Sequence, residues 1–236
     1  MNKHIFIPDV HGESLWKDIV KNEADTYVFL GDYFDSFHIS IEDQLKNFED
    51  LLEFKEKNKE KCKFLLGNHD IHYLLAEDFL GECIRGSGFD MHNAYKILPL
   101  FNNIKDDFQL AYQINNILCT HAGLTQDHYD IDLKEIHERY PEFNYADLLN
   151  HLWKYKSEKL MRVGYWRRRR STSHGGVFWC DRRELTKDPL KGITQIVGHT
   201  PIKKVETYET EDNNKLVFTD CIIYNKEKLD YYEIEI

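Results

Sequence analysis

No part of this 236-residue chain approaches the roughly 18 consecutive apolar residues that a membrane-spanning helix requires. The opening MNKHIFIPDVHG also lacks the apolar segment of a secretion signal, so a soluble, cytoplasmic protein is expected. Cysteine is sparse and odd in number: Cys62, Cys83, Cys119, Cys180 and Cys221 are widely spaced, and most lie in apolar, strand-like runs. They read as reduced core residues rather than a disulfide framework. Positive charge is in deficit, with 31 Lys and Arg against 41 Asp and Glu and a net charge of −10. The chain as a whole therefore repels nucleic acid and acidic membranes. Its arginines are nonetheless uneven: seven of nine fall within residues 162–183, including Arg167, Arg168, Arg169 and Arg170. That segment is either a solvated loop or an anion-binding rim, because guanidinium forks match phosphate geometry. No internal repeat or low-complexity linker interrupts the chain, which reads as one domain over residues 1–236.

The composition is 42% hydrophobic and 14% aromatic, enough for a sizeable core. Short apolar runs recur as HIFIP, TYVFL, KFLL, NILCT, TQIV and LVFT. Between the second and third, Ile41, Leu45, Phe48 and Leu52 repeat at helical spacing behind a Ser40/Asp43 capping box, which predicts an amphipathic crossover helix. A second helix is expected from about 145 to 161, and Asn115 with Asn116 predicts a hairpin turn. The segments KKVETYE, KLVFT, CIIYN and LDYYEIEI alternate with the period of antiparallel strands. Strand–helix–strand order early in the chain implies a parallel sheet, and the late hairpins imply a meander packed against it: a mixed α/β sandwich.

The ends of the apolar runs carry chemistry. They deliver Asp9 and His11; then Asp32 and Asp35; then Asn68, His69 and Asp70; then His121; then His199. Asp, Asn and Gly after a strand are ordinary turn residues. Turns do not call for imidazole repeatedly, however, and ligands in open α/β sheets bind beyond the carboxyl ends of strands. Five such ends are expected at one sheet edge.

DVHG, GDYFD, GNHD, THAG and GHT, in this order between Asp9 and Thr200, resemble the signatures of the calcineurin-like metallophosphoesterases. The resemblance implies a four-layer α/β/β/α sandwich with mixed β-sheets and a dinuclear metal site at the strand ends. It implies that Asp9 and His11 bind one divalent ion, that Asn68, His121 and His199 bind a second, and that Asp32 bridges them. Mixed carboxylate, imidazole and carboxamide ligands suit Mn²⁺ foremost, or Fe or Zn²⁺. The family pattern further makes His69 the general acid, steadied by Asp35, while a hydroxide bridging the metals attacks a phosphomonoester.

The GHTP ending, with FWCDRRE upstream, is similar to the branch that holds the phosphoprotein phosphatases and diadenosine tetraphosphatases. In that branch an arginine grips phosphate at the position of Ser36, so Arg85, Arg182 and Arg183 are the candidates to bind substrate in its place. The substrate expected is a phosphorylated small molecule, nucleotide or phosphoprotein. Dinucleoside polyphosphate hydrolysis is the enzymatic alternative, and a non-catalytic module binding RNA or an acidic partner through residues 162–183 is the alternative of another class. His174, in an HGG that follows arginines and serines instead of a strand, reads as a loop residue. His72 and His92 read as ordinary partly buried or surface histidines.

Overall fold

The computed structural model describes residues 1–75, 88–164, 175–222 and 230–236. The chain forms two units, one of residues 1–109 with 221–236 and one of residues 110–220. The described strands make two mixed five-stranded sheets, one in each unit, so the mixed α/β class is as expected.

In the first unit β1 (Lys3–Ile7), β2 (Thr26–Phe29), β3 (Cys62–Leu65) and β4 (Phe108–Gln109) run parallel, with His4 opposite Thr26, Tyr27 opposite Cys62 and Phe64 opposite Phe108. β2 is buried at every position, and the neighbouring apolar run of β1 is nearly so, as strands covered on both faces must be. Around them Phe29 stacks on Phe64 at 4.6 Å between centroids, and Tyr33, Phe34, Phe48 and Phe101 continue the aromatic core.

The short helix α1 (Trp16–Ile19) follows β1, and the crossover helix α2 spans Ile41–Lys57. The Ser40 hydroxyl caps α2, accepting the Asp43 N–H at 3.1 Å and donating to the Asp43 carboxylate at 2.7 Å. Its buried face differs from the predicted stripe. Gln44, Asn47, Phe48 and Leu51 are buried, while Leu45 and Leu52 sit half-buried at the flank. The two amides face inward because they have partners. Gln44 accepts from Ser36 N at 3.2 Å and donates to Ile39 O at 2.8 Å; Asn47 accepts from Trp16 Nε1 and donates to Glu13 O, each at 3.1 Å. The helix thereby holds the loops that follow β1 and β2.

A helix over Met91–Ile104, with Pro99 inside it, was not indicated by the sequence patterns. The terminal run LDYYEIEI, expected in a late meander, instead returns to the first sheet as β10 (Tyr232–Glu235), antiparallel to β1 with Lys3 opposite Glu235. Alternation identifies a one-sided strand but not its neighbour, and β1 had an open edge to offer.

In the second unit β5 (Ala111–Ile114) and β6 (Ile117–Thr120) form the expected hairpin, Asn115 taking the left-handed conformation at φ 51°. β6 pairs in parallel with β7 (Thr194–Val197), β7 with β9 (Lys215–Phe218), and β9 forms an antiparallel hairpin with β8 (Glu206–Glu209). The second helix covers Tyr145–Lys154, capped by Asn144, and stops seven residues before the expected end at 161. It ends in a Schellman motif. Lys156 adopts φ 48°, its N–H bonds to Trp153 O at 2.8 Å, and the Ser157 N–H reaches back to Leu152 O at 3.0 Å. Lysine carries no sign of that conformation, which glycine usually supplies. Lys156→Gly should therefore raise stability by about 0.5–1 kcal/mol, read from the urea midpoint, since the left-handed strain disappears. A lower midpoint would show that the lysine side chain outweighs that strain.

Cys62, Cys119, Cys180 and Cys221 are buried free thiols, and Cys83 lies outside the described residues. Among the described residues no helix is long and apolar enough to cross a membrane.

Candidate metal centre

Five loop segments were expected at one sheet edge. The structure divides them instead, with β1, β2 and β3 of the first sheet carrying three and β6 and β7 of the second carrying two. The division arises because the Asn115–Asn116 hairpin pairs β6 with β5, which starts a new sheet.

In the first unit the loops after β1 and β2 stay in register past the sheet: Val10 and His11 donate to Asp32 O at 3.1 and 2.7 Å, and Gly12 to Tyr33 O at 3.0 Å. The loop after β3 closes against the loop after β2. A methyl group on Gly31 would overlap the Gly67 backbone, and one on Gly67 would overlap the Asp32 carboxylate, so both positions need glycine for lack of space. Asp70 ties these loops together. Its buried carboxylate accepts Gly67 N at 2.7 Å, Asp32 N at 2.8 Å and Tyr33 N at 2.9 Å. Burial, with the Asp32 charge next to it, pushes the Asp70 carboxyl well above the ordinary carboxylate range despite those donors.

Asp9 is buried, at 1% exposure, and Asp32 nearly so at 2%. His11 donates Nδ1–H to Phe34 O at 2.7 Å, which leaves Nε2 as the lone-pair nitrogen, 3.6 Å from Asp32 Oδ2. Burial holds the His11 imidazole below its ordinary value against the pull of Asp32, favouring the neutral form a metal ligand needs. One donor atom each from His11, Asp32 and His69 lies within 4.8 Å of the other two.

Helix α3 (Asn68–Leu74) begins at Asn68, which is buried, and continues with His69. The His69 backbone N–H donates to Asp32 Oδ1 at 2.8 Å, and its Nδ1 to Asp35 Oδ2 at 2.8 Å. Burial alone would lower the His69 pKa, but the Asp32 charge and the Asp35 hydrogen bond outweigh it and lift the imidazole to about 9. Asp35 Oδ1 accepts the Tyr73 hydroxyl. Sequence reasoning missed Tyr73 and the anchoring role of Asp70, and took His72 for an ordinary histidine. His72 is buried, with a ring nitrogen within 4.8 Å of donor atoms of Asp35 and His69. The signal available was helical spacing, which places His69 and Tyr73 on one face of α3. His92, by contrast, is exposed.

In the second unit His121 follows β6 and His199 follows β7; both are buried, and Gly198 N donates to His121 O at 2.8 Å. His121 Nε2 and His199 Nδ1 lie 3.1 Å apart. That is close to the separation of two imidazole nitrogens each about 2.0–2.1 Å from one ion in tetrahedral geometry. The donors of both units thus have the chemistry of divalent-metal ligands.

Four of the seven non-glycine residues with positive φ among the described residues lie here, the others being Asn115, Lys156 and Asn213. His11, Asp32, Asp35 and His199 adopt φ of 42°, 52°, 68° and 65°. Left-handed conformations cost non-glycine residues on the order of 1–3 kcal/mol each and collect where function demands them.

Arg162, Arg182 and Arg183 are engaged. Arg162 pairs with buried Asp132 at 2.6 Å; Arg182 pairs with Glu206 at 2.5 Å, bonds the Tyr208 hydroxyl and lies over the Tyr208 ring; Arg183 pairs with Asp181, its own helix cap, at 2.8 Å. Arg85, the arginines 167–170 and His174 lie outside the described residues. Ser36 serves its own loop, its hydroxyl oxygen accepting Ile39 N at 3.2 Å.

Residues 5–224 match the family model described as calcineurin-like phosphoesterase. The chain belongs to that family. Among similar sequences are a putative serine/threonine-protein phosphatase of Schizosaccharomyces pombe, 32% identical over 50% of this chain and 36% of that protein, and a protein phosphatase 2A catalytic chain of Dictyostelium discoideum, 28% identical over 62% and 47%. The matched region thus spans less than half the length of either relative. A solved structure of a cold-active protein-tyrosine phosphatase from a psychrophilic Shewanella covers the whole chain and 76% of its own at 16% identity, with a TM-score of 0.57, a likeness of fold. The family is one of phosphoesterases, in which divalent metal ions are implied, and this chain carries clusters of side chains able to hold such ions.

Proposed function

We propose that this protein is a divalent-metal-dependent phosphomonoesterase. The observation that carries the reading is the neighbourhood of His69: an imidazole that donates to Asp35 while its backbone N–H holds Asp32, with His11 alongside. Asp9, His11, Asp32 and Asn68 would hold a divalent ion, with Mn²⁺ the first choice, and His121 and His199 offer a further pair of imidazole donors. When bound, such ions polarise a phosphoryl oxygen and lower the pKa of water. The chain's own part is positioning and proton delivery. A water oxygen forms the new bond to phosphorus as the scissile P–O bond breaks. The electron pair of that bond stays on the leaving oxygen, which takes a proton from His69 Nε2 while Nδ1–H stays hydrogen-bonded to Asp35, and the proton released by the water restores His69. The names of the relatives, which include serine/threonine and tyrosine phosphatases, support a monoester substrate.

Turnover of p-nitrophenyl phosphate with added Mn²⁺, compared with bis-p-nitrophenyl phosphate and diadenosine tetraphosphate, tests the reading. The monoester is expected to be the preferred substrate and activity to vanish on chelation. Preference for the tetraphosphate would move the assignment to nucleotide hydrolysis, and no turnover of any would favour a binding module. Asp32→Asn should lower metal content measured by atomic spectroscopy, and full occupancy would show that Asp32 is not a ligand.

A further inference from the structure

We infer that Tyr73 is a positioning residue for proton delivery, clamping Asp35 so that His69 presents its other nitrogen to the leaving group. The inference rests on the proposed role of His69 as the acid. His69 and Tyr73 stand four residues apart on α3 and so project from one face. Asp35, entering from the loop after β2 in a left-handed conformation, meets both: one carboxylate oxygen accepts His69 Nδ1 at 2.8 Å, and the other accepts the Tyr73 hydroxyl.

A carboxylate held through one oxygen can swing about its final bond and carry its histidine partner with it. Held through both, its plane is set by the helix that also carries the histidine. The clamp is enclosed. Tyr73 is 0% exposed, with its ring against Phe89 at 5.3 Å and Phe34 at 6.4 Å, and Gly88 packs so closely that a methyl group there would press on Asp35 Cβ. Water has little room to replace the hydroxyl, so its loss leaves the second oxygen without an equivalent donor.

Tyr73→Phe keeps the ring and removes only that donor. A positioning role predicts that kcat for phenyl phosphate, whose leaving oxygen needs the proton, falls about tenfold, the lower end of what losing an outer-shell partner costs. For p-nitrophenyl phosphate, which leaves as a stable anion, kcat should change less than about twofold, with KM for both esters unchanged. A purely structural role would lower both rates together, and equal losses would overturn the inference. A second readout needs no turnover. In the metal-free protein the His69 Nδ1 proton, bonded to Asp35, should give a slowly exchanging, strongly downfield NMR signal that broadens or moves upfield in Tyr73→Phe. An identical signal in the variant would overturn the inference. If the parent protein hydrolyses neither ester, the phosphomonoesterase reading fails, and the NMR comparison alone decides whether Tyr73 orders the pair.

Discussion

Asp70→Ala is expected to lower stability by about 3–5 kcal/mol, the cost of leaving several buried donors without an acceptor. Three backbone N–H groups, of Gly67, Asp32 and Tyr33, point at this one carboxylate. Alanine supplies no acceptor, and at 0% exposure the site has no route to bulk water. The midpoint of thermal unfolding should fall by about 6–20 °C for a chain of this size. Exposed Asp18, paired only with exposed Lys21 at 2.5 Å, is the control, and Asp18→Ala should leave the midpoint within error. The damage should also be local: Asp32 loses the bond that fixes its backbone, so metal binding should weaken even where the variant remains folded. An unchanged midpoint in Asp70→Ala would show that the three donors have found other acceptors.

His69→Ala is expected to cut kcat for esters with poor leaving groups by about 10²–10⁴, the usual contribution of a positioned general acid. The variant should fold and hold metal normally. The bond from residue 69 to Asp32 is made by the backbone N–H, which alanine retains, and the imidazole is not part of the aromatic core. For p-nitrophenyl phosphate the loss should be much smaller, because that leaving group departs without a proton. Paired kinetics on the two esters, with metal content measured on the same preparations, separate this outcome from loss of the ions. An unchanged rate with the poor leaving group would remove His69 from the proton step and would leave the metal-ligand assignment standing.

The elements legible in the sequence were those whose evidence is local. Ser40 and Asp43 marked the start of α2 because a capping box is complete within four residues. Asn115 and Asn116 marked the β5–β6 turn because left-handed backbone favours that residue. The five signatures named candidate ligands because strand ends followed by His, Asp and Asn are visible residue by residue. What escaped depended on partners distant along the chain. Gln44 and Asn47 looked like the polar face of α2, yet they turn inward to loop groups up to 34 residues away. Nothing local marked Tyr73 or the anchoring role of Asp70, because the loop after β2 that meets them lies 37 or 38 residues back.

The order of strands, the crossover helix, the family and the identities of the candidate ligands were determined by the sequence itself, because period, capping and motif are properties of neighbouring residues. Tertiary structure alone decided that β10 returns to β1, that two sheets share the ligand-bearing loops, and that Asp35 is gripped from both sides by α3. Strand partners and carboxylate partners are chosen by which groups arrive with an unmet hydrogen bond, and no window of sequence contains both halves of that bond.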